Sequence, residues 1–293
     1  PLLEIIVVDD ASQDNSVEQI RHFLTEHAEV DICFIQLSEN VGNCQAFNIG
    51  LKRAQGKYVV DFAADDVMMP ERIATQVAFF EQLPEKYGVI FSDVLEIDEC
   101  SRPIKTYYRR NASGKLLQPP PQGFVYEHLL RRAFISPPSM MYRRSMLEEL
   151  GGYDESLSYE DYDLWVRSGK KYYYGFQDAI LTQRRILSSS HSQGFYAKKQ
   201  NKHLASTLKV CEKAFLQNEK DSEHRALAVS VRYHWRLAIF TENFTIAEEF
   251  YKLLCRIDHP TWKDHFFYSC MRLRLPLFEV YRFWQKLRRK MNV

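Results

Sequence analysis

Three repeats of a strand pattern followed by a helix pattern constrain the fold of this chain more than any other feature. Each strand pattern is a short apolar run rich in β-branched residues, of the kind that is covered on both faces of a sheet. The three runs are EIIVVDD (4–10), VDICFIQL (30–37) and KYVVDFA (57–63). The helix patterns that follow them are 11–24, 43–54 and 70–83. This repetition predicts an α/β fold with a mainly parallel sheet flanked by helices.

The remainder of the chain changes character twice. Residues 89–108 predict two strands joined by a hairpin-like turn, and helices are predicted at 125–132 and 159–168. Towards the C-terminus the pattern is helical throughout. The helices expected there are 199–217, 223–242, 244–256 and 277–291. We therefore expect two domains, 1–195 and 196–293, of which the second is a helical extension.

Charge supports this division. The net charge is only +1, yet residues 1–197 hold 20 Lys and Arg against 28 Asp and Glu, and residues 198–293 hold 19 against 10. The six cysteines show neither close pairing nor metal-ligand spacing, which predicts reduced thiols and a cytoplasmic setting. Apolar runs fall short of the roughly 20 residues that span a bilayer, so we expect any membrane contact to be peripheral.

Two carboxylates, Asp65 and Asp66, follow the third predicted strand. Ligands of α/β sheets bind beyond the carboxyl ends of the strands, and adjacent like charges repel unless a cation or a set of donors meets them. Mg²⁺ or Mn²⁺, shared with substrate phosphates, would meet both needs. The alternative is helix capping or an Asx-turn. Because Pro70 at the first helical position makes Met69 the expected N-cap, the pair lies too early to cap that helix.

A second carboxylate pair, Asp9 and Asp10, follows the first predicted strand. Two interpretations are open. The pair can belong to a loop that leads into a helix capped by Asp14 or Asn15, or it can accept hydrogen bonds from the base or ribose of a nucleotide. Only the second interpretation gives the pair a role in binding.

Asp161 is a third candidate. Ser158 and Asp161 have the spacing of a capping box, which gives Asp161 a structural role. Asp161 also shares a helical face with Leu164 and Trp165, and because this face should point inward, the carboxylate is expected at the edge of a covered site. The helix N-terminus lowers its pKa, whereas desolvation and a bound diphosphate raise it. Capping and catalysis are both open.

Three further side chains in the segment TQRRILSSSHSQG could meet phosphate or a metal: Arg184, Arg185 and His191. A solvated loop is the alternative for this segment. Trp262 and Trp284, nearer the C-terminus, are predicted to be core residues rather than a platform for a ligand.

Three blocks of sequence, in this order, resemble glycosyltransferase family 2, a family of inverting glycosyltransferases with a GT-A fold. The blocks are EIIVVDDASQDNS, NVGNCQAFNIGLKRAQGKYVVDFAADDVMMPERI and SMMYRRSMLEELGGYDESLSYEDYDLWVRSG. The resemblance covers residues 3 to 187. It implies a GT-A (nucleotide-diphospho-sugar transferase, Rossmann-like) domain over 1–195. Family members normally have one more strand and helix ahead of the position of Pro1, so the domain is expected to be N-terminally truncated.

The resemblance also implies roles for individual residues. Asp161 falls at the position of the general base, with Glu160 beside it in the catalytic pair. Asp65 and Asp66 fall on the end of a DxD-type motif, where Asp66 binds the metal and Asp65 reaches both metal and ribose, and His191 is expected to join the metal. The donor-binding residues expected from the resemblance are Asp9, Asp10, Asn40, Gly42, Asn48, Asp65, Arg184 and Arg185.

Two positions depart from the family pattern: Ala63 stands where an aspartate is common, and Phe47 where many members have a phosphate-binding arginine. The activity implied is transfer of a sugar, with inversion and with Mg²⁺ or Mn²⁺, from a nucleotide donor, by default a UDP-sugar, to a hydroxyl of a glycan or lipid-linked acceptor in polysaccharide biosynthesis. The alternative is a catalytically decayed nucleotide-sugar-binding or scaffold protein.

The terminal segment LPLFEVYRFWQKLRRK mixes large apolar residues with Lys and Arg. It predicts either a packed helix with a solvated basic face or an interfacial helix held by anionic lipid, which would make the protein a peripheral membrane protein. The charge alone would also suit nucleic acid, but no recognition motif accompanies it, so we expect no nucleic-acid partner.

Overall fold

The computed structural model describes the backbone of residues 3–187 and 191–291. Contacts divide these residues into two compact units, 3–125 with 134–187 and 126–133 with 191–291. Residues 126–133, which lie inside the first domain expected from the sequence, thus cluster with the second unit. The functional boundary at residue 195 stays a prediction.

Two sheets form in the first unit. The strands are β1 (Ile5–Asp9), β2 (Ile32–Gln36), β3 (Tyr58–Val59), β4 (Val67–Met68), β5 (Tyr87–Ile97), β6 (Pro103–Thr106), β7 (Met141–Arg143) and β8 (Tyr173–Arg185). Strands β1 and β2 pair in parallel as a two-stranded sheet. The larger sheet has the order β3-β7-β5-β8-β4, with β6 paired to β5. The hairpin predicted within 89–108 is confirmed as β5 and β6.

The larger sheet is mixed, whereas the sequence predicted a mainly parallel one. Only β5 and β8 run parallel in it, over a long register from Tyr87↔Tyr173 to Ile97↔Arg185. The short strands β3, β4, β6 and β7 each pair antiparallel with a neighbour. The predicted α/β fold is confirmed, and the parallel pairs β1–β2 and β5–β8 hold most of the paired residues. The antiparallel direction of the short strands was not predicted, because strands of two to four residues carry no periodicity from which their direction can be read.

The helices agree with the predicted pattern in most places. They are α1 (Ser16–Glu26), α2 (Asn43–Leu51), α3 (Arg72–Glu81), α4 (Tyr126–Arg131), α5 (Arg144–Glu149), α6 (Asp161–Gly169), α7 (Lys202–Gln217), α8 (Asp221–Phe240), α9 (Phe244–Ile257), α10 (Trp262–Arg272) and α11 (Phe278–Met291). Helices α5 and α10 were not among the helices predicted from the sequence. The cap of α3 is corrected: its N-cap is Glu71, because Pro70 lies in a turn in which Arg72 N bonds Met69 O (3.0 Å).

The third strand pattern ends earlier than the sequence predicted. Only Tyr58 and Val59 pair in β3, and residues 60–66 continue as a loop. A turn closed by the bond from Asp66 N to Ala63 O (3.2 Å) follows, and the chain then pairs with β8 as β4. Asp65 and Asp66 therefore lie in a turn between two short strands rather than at the end of a buried one.

A buried guanidinium fixes this loop region to the core. Arg72 has no exposed surface and donates to Gln76 Oε1 (2.9 Å), Thr182 Oγ1 (2.8 Å) and Met140 O (3.1 Å). Its guanidinium also lies 5.1 Å from the ring centroid of Phe62. One side chain thus connects α3 to β8 and to the residue before β7, beside the loop that carries Asp65.

The second unit is a helical bundle in which α8 packs on α4, α7, α9 and α10. Trp235, Phe250 and Leu254 are fully buried in it. The prediction that Trp262 and Trp284 are core residues was wrong, because their side chains are 76% and 51% exposed. Among the described residues, no helix is both long enough and apolar enough to cross a membrane. All six cysteines are free, as the sequence predicted.

A buried carboxylate joins α10 to α8. Asp264 has no exposed surface and accepts hydrogen bonds from Arg232 Nε (3.0 Å), Arg236 Nη2 (2.9 Å) and Thr261 Oγ1 (2.8 Å). Burial alone would raise the pKa of Asp264, but the hydrogen bonds from Thr261 and the two arginines outweigh it and lower the pKa to about 2. The carboxylate therefore stabilises the fold in its ionised form.

We predict that Asp264→Asn lowers the free energy of unfolding by about 2 kcal/mol at neutral pH, because two guanidinium groups lose their anion. Since the folded pKa lies below the value of about 4 for an unfolded Asp, this stabilisation is present above pH 4 and is lost as the pH falls towards 2. Thermal melts at several pH values should show the two proteins converging in acid. Asp258→Asn, which removes a more exposed partner of Arg232, is the control and should cost less than about 1 kcal/mol. If the difference in melting temperature between the two proteins stayed the same down to pH 2, Asp264 would not be stabilising the fold as an ionised carboxylate.

Candidate functional site

Asp10 organises the loop that begins α2. Its Oδ1 accepts Val41 N (2.7 Å) and its Oδ2 accepts Gly42 N (2.9 Å), while its backbone oxygen accepts Asn40 Nδ2 (3.1 Å). Asp9 beside it is 5% exposed, and its Oδ2 accepts Ser12 N (3.2 Å). The structure brings these predicted donor-binding residues together, and the bonds that it describes join them to one another and to the loop backbone.

Asn48 has a different environment from the one expected of a donor-binding residue. It is 7% exposed, its Oδ1 accepts Tyr153 N (2.8 Å), and its Nδ2 donates to Tyr153 O (2.9 Å) and Glu155 Oε1 (2.9 Å). Gly152 has a φ of +72°, and any Cβ there would collide with Asn48 Oδ1. The amide of Asn48 therefore holds the turn after α5, and its contact with the donor stays a prediction.

The turn with Asp65 and Asp66 is braced by Arg185 at the end of β8. Arg185 N donates to Asp66 Oδ1 (2.8 Å) and Arg185 Nε to Asp65 O (3.0 Å). Arg185 Nη1 donates to Asp98 O (3.1 Å) and Ser101 Oγ (3.0 Å). Sequence reasoning gave Arg185 a donor-binding role. In the structure its guanidinium positions two turns, and the donor contact stays a prediction.

The two carboxylates of this turn differ in exposure. Burial raises the pKa of Asp66, and the charge of Asp65 raises it further. The N–H of Arg185 and the charge of Arg184 lower it, but the pKa remains above its ordinary value. The side chain of Asp65 is exposed. A half-buried carboxylate beside an exposed one, with an oxygen of Asp66 already held in place, suits Mg²⁺ or Mn²⁺ that takes its remaining ligands from phosphate and water.

The described side chains near this turn supply two carboxylates to a cation, Asp65 and Asp66. Among the described residues, no group of three His, Cys, Asp or Glu side chains is placed to hold a metal. The side chain of His191, which the sequence assigned to the metal, lies outside the described residues.

The start of α6 carries the predicted catalytic pair. Its N-cap is Glu160 rather than Ser158, so the predicted capping box is wrong. Glu160 Oε2 accepts Asn43 Nδ2 (2.7 Å), which ties α6 to α2. Asp161 Oδ1 accepts Tyr162 N (2.7 Å). Burial and then the charge of Glu160 raise the pKa of Asp161 to about 7, against the lowering effect of Tyr162 N and Arg184.

Arg184 links the two halves of the site. Its charge acts on Asp66 in the turn and on Asp161 at α6. Its Nη1 lies 4.0 Å from Glu96 Oε1, and its side chain is 30% exposed. Because this partly exposed cation acts on the pKa of both carboxylates, we assign Asp66, Arg184 and Asp161 to one candidate cleft.

Asp61 belongs to the same region and was missed by the sequence reasoning. Its Oδ2 accepts Tyr153 Oη (2.9 Å), and the ring of Tyr153 stacks on Phe47 with centroids 4.0 Å apart. Burial and the charge of Glu160 raise the pKa of Asp61 to about 7, although the hydrogen bond from Tyr153 opposes this. The signal available was a carboxylate inside an apolar run, at the centre of YVVDFA.

The site can thus supply three kinds of chemistry. Asp65 and Asp66 offer anionic oxygens to a cation, Arg184 offers a positive charge to an anion, and Asp161 offers a carboxylate whose pKa is near neutrality. A base of that strength can accept a proton at physiological pH and release it afterwards.

A sequence model described as glycosyl transferase family 2 matches residues 1–151. An uncharacterized glycosyltransferase of Methanocaldococcus jannaschii is 29% identical over 184 residues, which is 62% of this chain and 59% of that protein. An uncharacterized glycosyltransferase of Rickettsia prowazekii is 28% identical over 191 residues, 63% of this chain and 55% of that protein. The amylovoran biosynthesis glycosyltransferase AmsE of Erwinia amylovora is 26% identical, over 56% of this chain and 57% of AmsE. The chain therefore spans less than two thirds of the length of these relatives.

Two solved structures show that the fold predicted from the resemblance is correct. S. aureus TarS (residues 1–349) in complex with UDP-GlcNAc has a TM-score of 0.68 at 16% identity, over 95% of this chain and 82% of that one. The mannosyltransferase PcManGT of Pyrobaculum calidifontis in complex with GDP-Man and Mn²⁺ has a TM-score of 0.54 at 15% identity, over 97% of this chain and 74% of that one. With a family match over more than half of its residues and a GT-A fold, the chain belongs to glycosyl transferase family 2.

Proposed function

We propose that the chain is the catalytic part of a glycosyltransferase that moves a sugar from a nucleoside-diphosphate donor to a hydroxyl of a glycan or lipid-linked acceptor. The observation that carries the proposal is the position of Arg184. It adjoins the residue whose N–H holds Asp66 Oδ1 (2.8 Å), and its own charge acts on the pKa of Asp161. Asp66, which suits a metal diphosphate, and Asp161, which suits proton transfer, would then act in the same cleft. The nucleotide sugars bound to TarS and PcManGT and the polysaccharide named for AmsE support the same assignment.

The donor half of the proposal uses the turn at Asp65–Asp66 and the loop held by Asp10. A divalent cation bound through Asp66 and Asp65 would offset the charge that develops on the leaving diphosphate. Arg184 contributes a second positive charge on the same side. Asp9, Asp10 and the loop from Asn40 to Gly42 are proposed to face the base and ribose of the donor, by default a uridine nucleotide.

The acceptor half uses Asp161 as general base. The Asp161 carboxylate takes the proton from the acceptor hydroxyl, that oxygen forms a bond to the anomeric carbon, and the bond from this carbon to the diphosphate breaks on the opposite face. The product has inverted configuration at that carbon, and the proton remains on Asp161 until it passes to solvent. Glu160 assists by raising the pKa of the base.

A second candidate is a nucleotide-sugar-binding or scaffold protein that has lost transfer. The stacking of Phe47 on Tyr153 favours it, because this ring stands where many relatives have a phosphate-binding arginine, and Ala63 removes a further carboxylate. Donor binding without transfer or hydrolysis would distinguish this candidate. A cytoplasmic setting and the absence of a nucleic-acid partner remain parts of the proposal under either candidate.

We predict that UDP with Mn²⁺ stabilises the protein against heat more than UDP alone does, and that Asp66→Asn removes the difference. At about 100 times the dissociation constant, a ligand should stabilise by about 2.7 kcal/mol. Thermal shifts with UDP, GDP, CDP and dTDP, each with and without Mn²⁺, would identify the nucleotide. Asp31→Asn, at an exposed carboxylate near β2, is the matched control and should behave as the wild type. A metal-dependent shift that survives in Asp66→Asn would remove the metal assignment.

We predict that Asp161→Asn lowers kcat by about 10²- to 10⁴-fold, the usual contribution of a general base. The variant should still bind the nucleotide, because Asp161 is not assigned to the donor. Turnover of the nucleotide sugar and thermal shift by the nucleotide would measure the two properties separately. A fall in kcat of less than about tenfold would exclude Asp161 as the base.

We predict that kcat/KM of the wild type falls as the pH drops below about 7, because Asp161 must be deprotonated to act and its pKa is about 7. Glu160→Gln should move this acid limb to lower pH, since the charge of Glu160 raises the pKa. Arg184→Gln should move it to higher pH, since the charge of Arg184 lowers the pKa. Each displacement should be at most about one pH unit. Displacements in the same direction for the two variants would contradict the assignment.

A further inference from the structure

Two consecutive helices of the second unit expose large apolar side chains in regular stripes. On α10 the stripe is Trp262, Phe266 and Leu273, at helical spacings that place all three on one face. On α11 the stripe is Val280, Phe283 and Trp284. The six side chains are 51% to 76% exposed. Scattered apolar residues on a surface need no explanation, but stripes on two neighbouring helices do.

The opposite faces of both helices are the ones that pack into the unit. Phe267 of α10 has a ring contact with Phe240 of α8 (5.7 Å between centroids), and Cys270 and Met271 are buried. Tyr281 of α11 stacks on the same Phe240 ring (4.9 Å). Each helix thus has an apolar face that the bundle covers and a second apolar face that it leaves in solvent.

The exposed stripes lie in a strongly basic part of the chain. Residues 259–291 contain eight Lys and Arg against two acidic residues. One of the two, Asp264, is buried and bonded to Arg232 and Arg236. The other, Glu279, lies 3.9 Å from Arg282. The net charge that this region presents to a partner is therefore positive, and Lys263 lies 5.4 Å from the ring centroid of Trp262 itself.

The combination of exposed apolar stripes and positive charge indicates which kind of partner could cover α10 and α11. A second copy that docked through the same surface would bring the same positive charge to the interface and be repelled by it. A helix with Trp, Phe and Leu on one face and Lys and Arg on the rest is the pattern that lies in the interface of an anionic membrane. Because none of the described helices can cross a membrane, such contact would be parallel to the surface.

We propose that α10 and α11 form a docking surface for anionic lipid, with the two apolar stripes in the interface and the surrounding cations on the headgroups. This inference adds to the interfacial helix expected at 277–291 a second helix that the sequence did not reveal. It does not rest on the proposed sugar transfer, because lipid binding is measured without donor or acceptor.

The test is sedimentation of the whole chain with vesicles of phosphatidylcholine alone and of phosphatidylcholine with about 30% phosphatidylglycerol. The wild type is expected to bind the anionic vesicles at least about tenfold more tightly, and the binding should weaken in high salt. Phe266→Ser combined with Phe283→Ser should reduce binding at least about tenfold, because two aromatic side chains leave the interface. Arg272→Gln with Arg274→Gln should reduce it about fivefold for each cation removed.

Leu216→Ser combined with Val229→Ser is the matched control. These exposed side chains lie on α7 and α8, 79% and 47% exposed, and their loss should leave binding within about twofold of the wild type. Because all substituted residues are exposed, thermal melts should show every variant folded. Equal binding to neutral and anionic vesicles, or equal losses in the control, would overturn the proposal. The proposal would also be overturned if the wild type sediments as a dimer and the variant with Phe266→Ser and Phe283→Ser sediments as a monomer, because the stripes would then be a dimer interface.

Discussion

A buried guanidinium connects α3, β8 and the residue before β7 in the first unit, and among the described residues its hydrogen-bond partners are neutral. Arg72 reaches Gln76, Thr182 and the backbone oxygen of Met140, and burial lowers its pKa to about 10, so it remains charged at neutral pH. Burying a cation is costly unless hydrogen bonds replace its hydration, and each of the three guanidinium nitrogens of Arg72 has an acceptor. The position of α3 relative to β8 is therefore fixed by directional hydrogen bonds as well as by apolar packing. The turn that carries Asp66 leads into β4, which pairs with β8 and precedes α3 in the chain, so the position of the turn is fixed as well.

Burial also sets the acid–base properties of the cleft. It raises the pKa of Asp61, Asp66 and Asp161, and in each case hydrogen-bond donors only partly compensate. Asp264 in the helical unit shows the opposite outcome, since two guanidinium groups and a threonine lower its pKa despite full burial. The difference is the number of donors that meet each carboxylate. Structural carboxylates are saturated with donors, whereas those of the cleft retain the capacity to accept a proton or a cation.

The sequence predicted most of the helices, the hairpin and the family, because these depend on periodicity and on ordered motifs. It could not predict the direction of β3, β4 and β7, which is decided by long-range pairing. The structural roles of Asn48 and Arg185 could not be predicted, because polar side chains that bind a ligand and polar side chains that hold a turn look alike in a sequence. Asp61 was missed for the complementary reason. One carboxylate in an apolar run has no motif, and its importance becomes visible only beside Tyr153 and Glu160.

Arg184 bears on both halves of the proposed reaction. Its positive charge lowers the pKa of Asp161, but burial and the charge of Glu160 outweigh it, and the pKa is raised to about 7. A nucleoside-diphosphate sugar carries two negative charges, so a donor that binds with one divalent cation would add almost no net charge near Arg184. The strength of the base is therefore set by the protein itself, through burial and Glu160, before the donor binds. Arg184 is then left to attract the diphosphate, and sugar transfer waits for the donor rather than for a change in the base.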